Sequence, residues 1–183
     1  SGAGMFGFAG FGRTAASLIN LVLLIVPLMG LTIGAQSLAG EREQGTLAYL
    51  LAQPVSRMEV LLGKLMGLGG ALLAALLLGF GLSAAVIAWQ GGAVEASRYG
   101  ALVALSLLLA LSTLSLGIFI SSWSRSGALA VGLALFAWLL LVFVGDLGLM
   151  GTTIAMKLHI GTLFGLALLN PLQVFKIATV NSL

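Results

Sequence analysis

The chain has 183 residues, of which 60% are hydrophobic and 7% are charged, and its mean hydropathy is +1.19. Soluble domains carry about 25% charged residues, so this composition excludes a soluble globule and indicates a membrane protein. The net charge of +3 is small and scattered along the chain, which excludes a nucleic-acid surface, because such a surface needs clustered basic residues. With no cysteine in the sequence, a disulfide framework and a thiolate metal site are excluded as well.

Four segments predict membrane spans, because a span requires roughly 20 consecutive apolar residues. They cover residues 14–40, 60–89, 99–123 and 127–145. Asp146 is expected to end the last span. Residues 146–183 predict a region outside the spans or a re-entrant segment, since the apolar run at 160–169 is too short to cross. The fold class is therefore an all-α integral membrane protein, a polytopic helical bundle with four spans in this chain.

A polar segment separates the first two predicted spans and covers residues 41–59; we call it the elbow. Together with Lys64 it holds six charged residues. Its leucines recur at helical spacing, which predicts a short amphipathic helix over residues 43–52. Such a helix lies in the plane of the membrane interface, and this one is joined directly to two spans. The pattern predicts a lever that transmits a push from the aqueous side to the spans.

Two local signals set the end of this short helix and the start of the next one. Pro54 ends the short helix, because proline disfavours the helical state in the preceding residue and has no backbone donor. Ser56 and Glu59 have the spacing of a capping box, in which each side chain accepts a hydrogen bond from the other residue's amide. The second spanning helix is therefore expected to begin at Ser56.

Packing signals lie within the spans. Small residues four positions apart permit close helix crossings, including at a homodimer seam, and occur at Gly30/Gly34, Gly63/Gly67 and Gly161/Gly165. Hydroxyl groups of the third span are expected to bond neighbouring helices; they belong to Ser106, Ser112, Thr113 and Ser115. Residues 121–126 predict a tight turn on the same side of the membrane as the elbow.

The elbow also carries a family pattern. Its residues are Glu41, Arg42, Glu43, Gly45, Thr46, Leu47, Leu50, Leu51, Pro54, Ser56, Arg57, Glu59 and Lys64. In this pattern the elbow resembles the cytoplasmic coupling segment of bacterial ABC-type export permeases. The resemblance implies that these residues contact a separate cytoplasmic ATP-binding subunit, which holds ATP and Mg, whereas this chain has no cofactor and is not an enzyme.

The same resemblance implies a multi-pass protein of the bacterial inner membrane that has six spans in the full chain and pairs with a second copy of itself. Lysine and arginine are divided equally between the two sides of the predicted spans. The positive-inside rule therefore does not decide the orientation, and both the cytoplasmic position of the elbow and the periplasmic position of residues 146–183 follow from the resemblance alone.

The run from Asn170 to Lys176 adds a closer likeness, to the permeases that accompany maturation of the copper enzyme nitrous oxide reductase. This likeness implies a role in copper-site assembly, a cargo of copper or a sulfur species, and a periplasmic accessory protein as a further partner. The alternative is a non-transporting membrane scaffold that anchors a periplasmic maturation partner.

Catalytic and metal-binding residues are sparse. Met150, Met156 and His159 are weak candidates for a copper(I) site, because thioether and imidazole ligands suit that ion. Met156 and His159 share a helix face, whereas Met150 would point away from His159 on one continuous helix. Methionine as an apolar gap filler is the simpler interpretation. With one histidine and one aspartate in the chain, no catalytic set is expected in the spans.

Overall fold

The protein is described by a computed structural model that covers residues 3–52, 55–89, 93–154 and 170–182. In these ranges it forms six helices: α1 (Ala3–Glu43), α2 (Thr46–Leu51), α3 (Arg57–Trp89), α4 (Ala93–Trp123), α5 (Gly127–Ile154) and α6 (Pro171–Ser182). Three of these helices contain apolar segments long enough to cross a membrane, Asn20–Glu43, Arg57–Ser83 and Gly100–Trp123, and α5 contains a shorter one, Gly127–Phe143. The prediction of a polytopic helical membrane protein is confirmed.

Several helices are longer than the predicted spans. α1 begins at Ala3 rather than near residue 14, and α4 begins at Ala93, so residues 93–98, which lie between the second and third predicted spans, are helical. The helix of the fourth predicted span, α5, continues past Asp146 to Ile154, whereas its apolar segment covers only Gly127–Phe143. A carboxylate removes no backbone hydrogen bond from a helix. The first charged residue after an apolar run therefore indicates the end of the apolar segment and does not indicate the end of the helix.

The centre of the bundle is the crossing of α1 and α4, where the two backbones nearly touch. A Cβ atom added at Gly34 would lie 2.6 Å from the Leu114 carbonyl oxygen, and one added at Gly117 would lie 2.5 Å from the Leu31 carbonyl oxygen. Gly30 faces Thr113 and Ala110 in the same crossing. The close approach predicted for Gly30/Gly34 is confirmed, and it is made within one chain.

The other spans pack around this central pair. α3 packs mainly on α4, through a cluster that contains Leu72, Leu114 and Ile118. α5 packs on α1, where Ala130 and Ala134 meet Leu31 and its neighbours. Of the three described segments that are long enough to cross a membrane, the one in α3 is the least enclosed, since only 11% of its apolar window is buried. Gly63 and Gly67 lie on α3 with open space around them.

The hydroxyl groups of Ser106, Ser112, Thr113 and Ser115 bond their own helix, α4, so the prediction that these four bond neighbouring helices is wrong. The Ser106 hydroxyl donates to the Leu102 carbonyl, and Thr113 donates to the Leu109 carbonyl. Ser112 and Ser115 donate to carbonyls three and four residues earlier in the same way. A hydroxyl can reach the carbonyl of the preceding turn without a partner helix, which is why its presence in a span does not identify a neighbour.

The end of the bundle away from the elbow is closed by α6. Asn170 begins this helix: its Oδ1 accepts from the Leu172 amide at 3.1 Å, and its Nδ2 donates to the Leu141 carbonyl of α5 at 2.9 Å. Pro171 occupies the first helical position, where a missing N–H costs nothing. Leu172 and Phe175 then enter the apolar core beside α1 and α4. Asn170 is thus both the N-cap of α6 and its link to α5.

Replacing Asn170 with alanine in the full-length permease is expected to lower the free energy of unfolding by about 2 kcal/mol, because a buried cap and an interhelical hydrogen bond are lost together. Asn170→Ser should recover part of the loss, since serine is a good N-cap. Thermal unfolding in detergent measures both. Asn20→Ala is the control, as Asn20 is exposed; an equal loss in both alanine variants would contradict the role of Asn170.

Candidate functional site: the elbow and the α4–α5 turn

The elbow begins where Gly45 stops α1. Gly45 has a φ of +75°, in the left-handed region that glycine tolerates best. Its amide donates to the Arg42 carbonyl at 3.2 Å, and the Gln44 amide donates to the Gly40 carbonyl at 3.1 Å. These bonds use carbonyls at the end of α1 and let the chain turn into α2. The short helix therefore covers Thr46–Leu51 rather than residues 43–52, and Glu43 belongs to α1.

α2 lies against the chain's own bundle. Leu47 packs on the apolar cluster of α1, α3 and α4, while the Thr46 hydroxyl donates to the Glu41 carbonyl at 3.1 Å. Tyr49 points away, and 79% of its surface is exposed. The apolar contact predicted for Leu47 exists, but Leu47 makes it with its own chain. A partner approaching from the aqueous side would meet Tyr49 first.

The capping box at the start of α3 is confirmed. The Ser56 amide donates to Glu59 Oε2 at 2.7 Å, and the Glu59 amide donates to Ser56 Oγ at 3.2 Å. α3 accordingly begins at Arg57. Arg57 and Met58 are exposed beside this cap. The box fixes the direction in which the chain enters α3, and with it the position of the exposed side chains around it.

Lys64 joins α3 to the last turns of α1. Its Nζ lies 2.6 Å from Glu41 Oε1 and donates to the Ser37 carbonyl at 2.6 Å. A cation at this place is favoured by the negative end of the α1 dipole. The contact is important for the elbow because α1 and α3 have few other contacts with each other.

Arg42 and Glu43 join the end of α1 to the turn between α4 and α5. Arg42 Nη1 donates to the Ser124 carbonyl at 2.5 Å, at the end of α4. The Gly127 amide, at the start of α5, donates to Glu43 Oε2 at 2.8 Å. A cation at a helix C-terminus and an anion at a helix N-terminus both complement the helix dipoles. We call this arrangement, which consists of Arg42, Glu43 and residues 124–127, the staple.

Buried hydrogen bonds reinforce the staple one turn deeper. Ser121 Oγ accepts from the Leu38 and Ala39 amides at 3.0 and 2.8 Å, and Ser121 is fully buried. The turn predicted for residues 121–126 is confirmed at 124–126, because α4 ends at Trp123 and α5 begins at Gly127. It lies beside the elbow, as expected. The end of α1 and the α4–α5 turn are thus connected by several bonds to backbone atoms.

The predicted coupling residues therefore divide into groups. Arg42, Glu43, Glu41 and Lys64 are bonded within the chain. Ser56 and Glu59 cap α3. Gly45 and Thr46 shape the turn into α2. Arg57 is exposed. Pro54 lies outside the described residues. The backbones of Leu50 and Leu51 belong to α2.

Sequence periodicity did not reveal the staple, because its two halves are more than 80 residues apart in the chain.

A metal site remains a prediction. Met150 lies in α5, and Met156 and His159 fall outside the described residues. Among residues 3–52, 55–89, 93–154 and 170–182, no group of three or more histidine, cysteine, aspartate or glutamate residues could hold a metal ion.

Comparison with known proteins gives a consistent picture. Residues 6–182 match the family described as ABC-2 family transporter protein. The chain is 35% identical over 185 residues to the "Probable ABC transporter permease protein NosY" of Pseudomonas aeruginosa, with 98% of this chain and 67% of the relative covered. The protein of the same name from Stutzerimonas stutzeri is 34% identical over 184 residues, again with 67% of the relative covered. The "Inner membrane transport permease YhhJ" of Escherichia coli is 32% identical over 120 residues, with 64% of this chain and 29% of the relative covered.

Proposed function

Because the chain belongs to the ABC-2 transporter family and is the permease subunit of an ABC transporter, we propose that its elbow converts the motion of a separate ATPase subunit into movement of the spans. The observation that carries the proposal is the staple. A push on α2 acts on the end of α1, and the bonds from Arg42 and Glu43 pass it to the ends of α4 and α5.

The exposed side chains at the elbow form the proposed docking surface for the ATPase. Tyr49 on α2 and Arg57 at the start of α3 are both exposed. An aromatic ring and a guanidinium group are the side chains that most often dominate protein interfaces. The charged groups of Arg42 and Glu43 are bonded within the chain. Their proposed role is therefore to transmit motion from the end of α1 to α4 and α5.

The assembly that follows from this proposal has two copies of the permease and two ATPase subunits, which bind ATP and Mg. The elbow faces the cytoplasm, and the protein lies in the bacterial inner membrane. The likeness to proteins named NosY supports the finer proposal that the transporter serves copper-site maturation of nitrous oxide reductase, with copper or a sulfur species as cargo and a periplasmic accessory protein as partner.

The alternative is a non-transporting scaffold that holds a periplasmic maturation partner in the membrane. The two functions differ at the elbow, since a scaffold needs neither a docked ATPase nor a bonded connection from the elbow to α4 and α5. Co-purification of a nucleotide-hydrolysing subunit bound to the elbow supports the transporter. A full-length permease that is stable in the membrane and binds no such subunit would favour the scaffold.

Replacing Tyr49 and Arg57 together with alanine is expected to weaken binding of the ATPase subunit by about 30-fold, since two interface anchors are lost at about 1 kcal/mol or more each. Binding of the purified ATPase subunit to the full-length permease in nanodiscs measures the effect. Arg125→Ala is the matched control, because Arg125 is an exposed arginine in the neighbouring turn. Unchanged affinity in the double variant would refute this docking surface.

A further inference from the structure

We propose that the cleft between α1 and α3 beside the elbow binds one phospholipid whose zwitterionic head carries a primary ammonium group, as in phosphatidylethanolamine. The cleft has a volume of about 750 Å³ and is lined by polar residues of α1 on one wall and by Gly67 and Leu68 of α3 on the other. It opens beside α3, the least enclosed of the three described segments that are long enough to cross a membrane. A ligand in this position would have direct access from the bilayer.

The polar end of the cleft holds a carboxylate and an ammonium group that can each form a further hydrogen bond. Lys64 Nζ is committed to Glu41 Oε1 and to the Ser37 carbonyl, and an ammonium group has three donors. Glu41 Oε2 is buried and accepts no hydrogen bond from the residues that the structure describes. The Glu41 side chain is 33% exposed, and each oxygen of an ionised carboxylate can accept two hydrogen bonds. Glu41 Oε1, which already accepts from Lys64, can therefore accept from a ligand as well.

Gln36 adds a second unsatisfied group farther along α1. It lines the cleft and is exposed, and its amide makes no hydrogen bond within the described part of the chain. It lies five residues from Glu41, which is about 7 Å along a helix. An amide without a partner is costly in an apolar environment, so an occupant that brings acceptors to this depth would be stabilised.

The chemistry of these groups, taken in order along the cleft, matches a phospholipid. The ammonium head donates to the Glu41 carboxylate, and the phosphate accepts from Lys64. The ester carbonyls of the glycerol accept from the Gln36 amide. The acyl chains then run along Ile33 and Leu68, which line the deeper part. Because the Glu41–Lys64 pair is neutral as a whole, it favours a head with both charges over an anionic head.

The test compares phosphatidylethanolamine with phosphatidylcholine, whose quaternary ammonium has no N–H donor. The full-length permease, with its ATPase subunit, is reconstituted in nanodiscs that contain equal amounts of both lipids and is then partly delipidated. Native mass spectrometry counts the retained lipids. Phosphatidylethanolamine should be retained about fivefold over phosphatidylcholine, the contribution of one charge-assisted hydrogen bond at a partly exposed site.

Matched variants locate the lipid. Gly67→Leu fills the cleft and should abolish the preference, whereas Gly63→Leu, one turn earlier on α3 and outside the cleft, should retain it. Gln36→Leu removes the donor to the ester carbonyls, which the two lipids share, and should lower the retention of both without changing the preference. Equal retention of the two lipids by the unmodified protein, a preference that survives Gly67→Leu, or unchanged lipid retention in Gln36→Leu would overturn the proposal.

Discussion

Leucine in place of Gly34 is expected to lower the free energy of unfolding of the full-length permease by about 3 kcal/mol, at the upper end for overpacking a tight interface. The added Cβ would lie 2.6 Å from the Leu114 carbonyl oxygen and 2.8 Å from the Ile118 amide nitrogen. Both are backbone atoms of α4, so no side-chain rotation relieves the clash. The two central helices would have to move apart, which also breaks the nearby contact at Gly117.

Unfolding in detergent, followed by circular dichroism or by the accessibility of introduced cysteines, measures this loss. The control is Gly132→Leu, because Gly132 is a helical glycine of α5 with open space around it. The control should change the free energy of unfolding little. If Gly34→Leu unfolds at the same denaturant concentration as Gly132→Leu, then the described crossing of α1 and α4 is not what holds the bundle together.

Removal of the staple is expected to uncouple the spans from the ATPase. In the double variant Arg42→Ala with Glu43→Ala, the Ser124 carbonyl and the Gly127 amide lose their partners from α1. The ATPase should still bind, because Tyr49 and Arg57 are unchanged. ATP-driven transport should fall by about tenfold, within the range typical of coupling free energies, while ATP hydrolysis continues.

The uncoupling can be measured without knowledge of the cargo. The 183 residues contain no cysteine, so spin labels can be attached at Met66 on α3 and Leu133 on α5, which are both exposed. ATP should change the distance between these labels in the unmodified permease and should change it far less in the double variant. Arg125→Ala serves as control. An ATP response that persists unchanged in the double variant would eliminate the staple as the route of transmission.

Local sequence signals predicted the elements of the elbow well. The capping box at Ser56 and Glu59 was predicted from spacing alone, because both partners lie within one helical turn. Gly45 was the missed signal: a glycine after Glu43 and Gln44 indicates a helix that ends there, yet the leucine pattern placed Glu43 in α2. Periodicity locates a helix but does not fix its ends, which depend on the backbone conformation of single residues.

Contacts between distant segments were harder to predict. The family resemblance implied that Arg42 and Glu43 contact a separate subunit. Their partners are backbone groups of the α4–α5 turn, which have no signature in the sequence. The glycines gave a mixed result for the same reason, since Gly30/Gly34 lies in the central crossing whereas Gly63/Gly67 faces open space. Identical spacing carries no information on which face another helix covers.

The staple has a consequence for how this protein can vary. Arg42 and Glu43 form hydrogen bonds with a backbone carbonyl and a backbone amide rather than with side chains. Substitutions at Ser122, Trp123 and Arg125 should therefore be largely tolerated. The number of residues between the two helices is not free, because deleting one would shift both backbone groups out of register. Gly127 is the exception, since a Cβ there would lie 3.0 Å from Glu43 Oε2. Related permeases should therefore preserve the length of this turn more strictly than its composition.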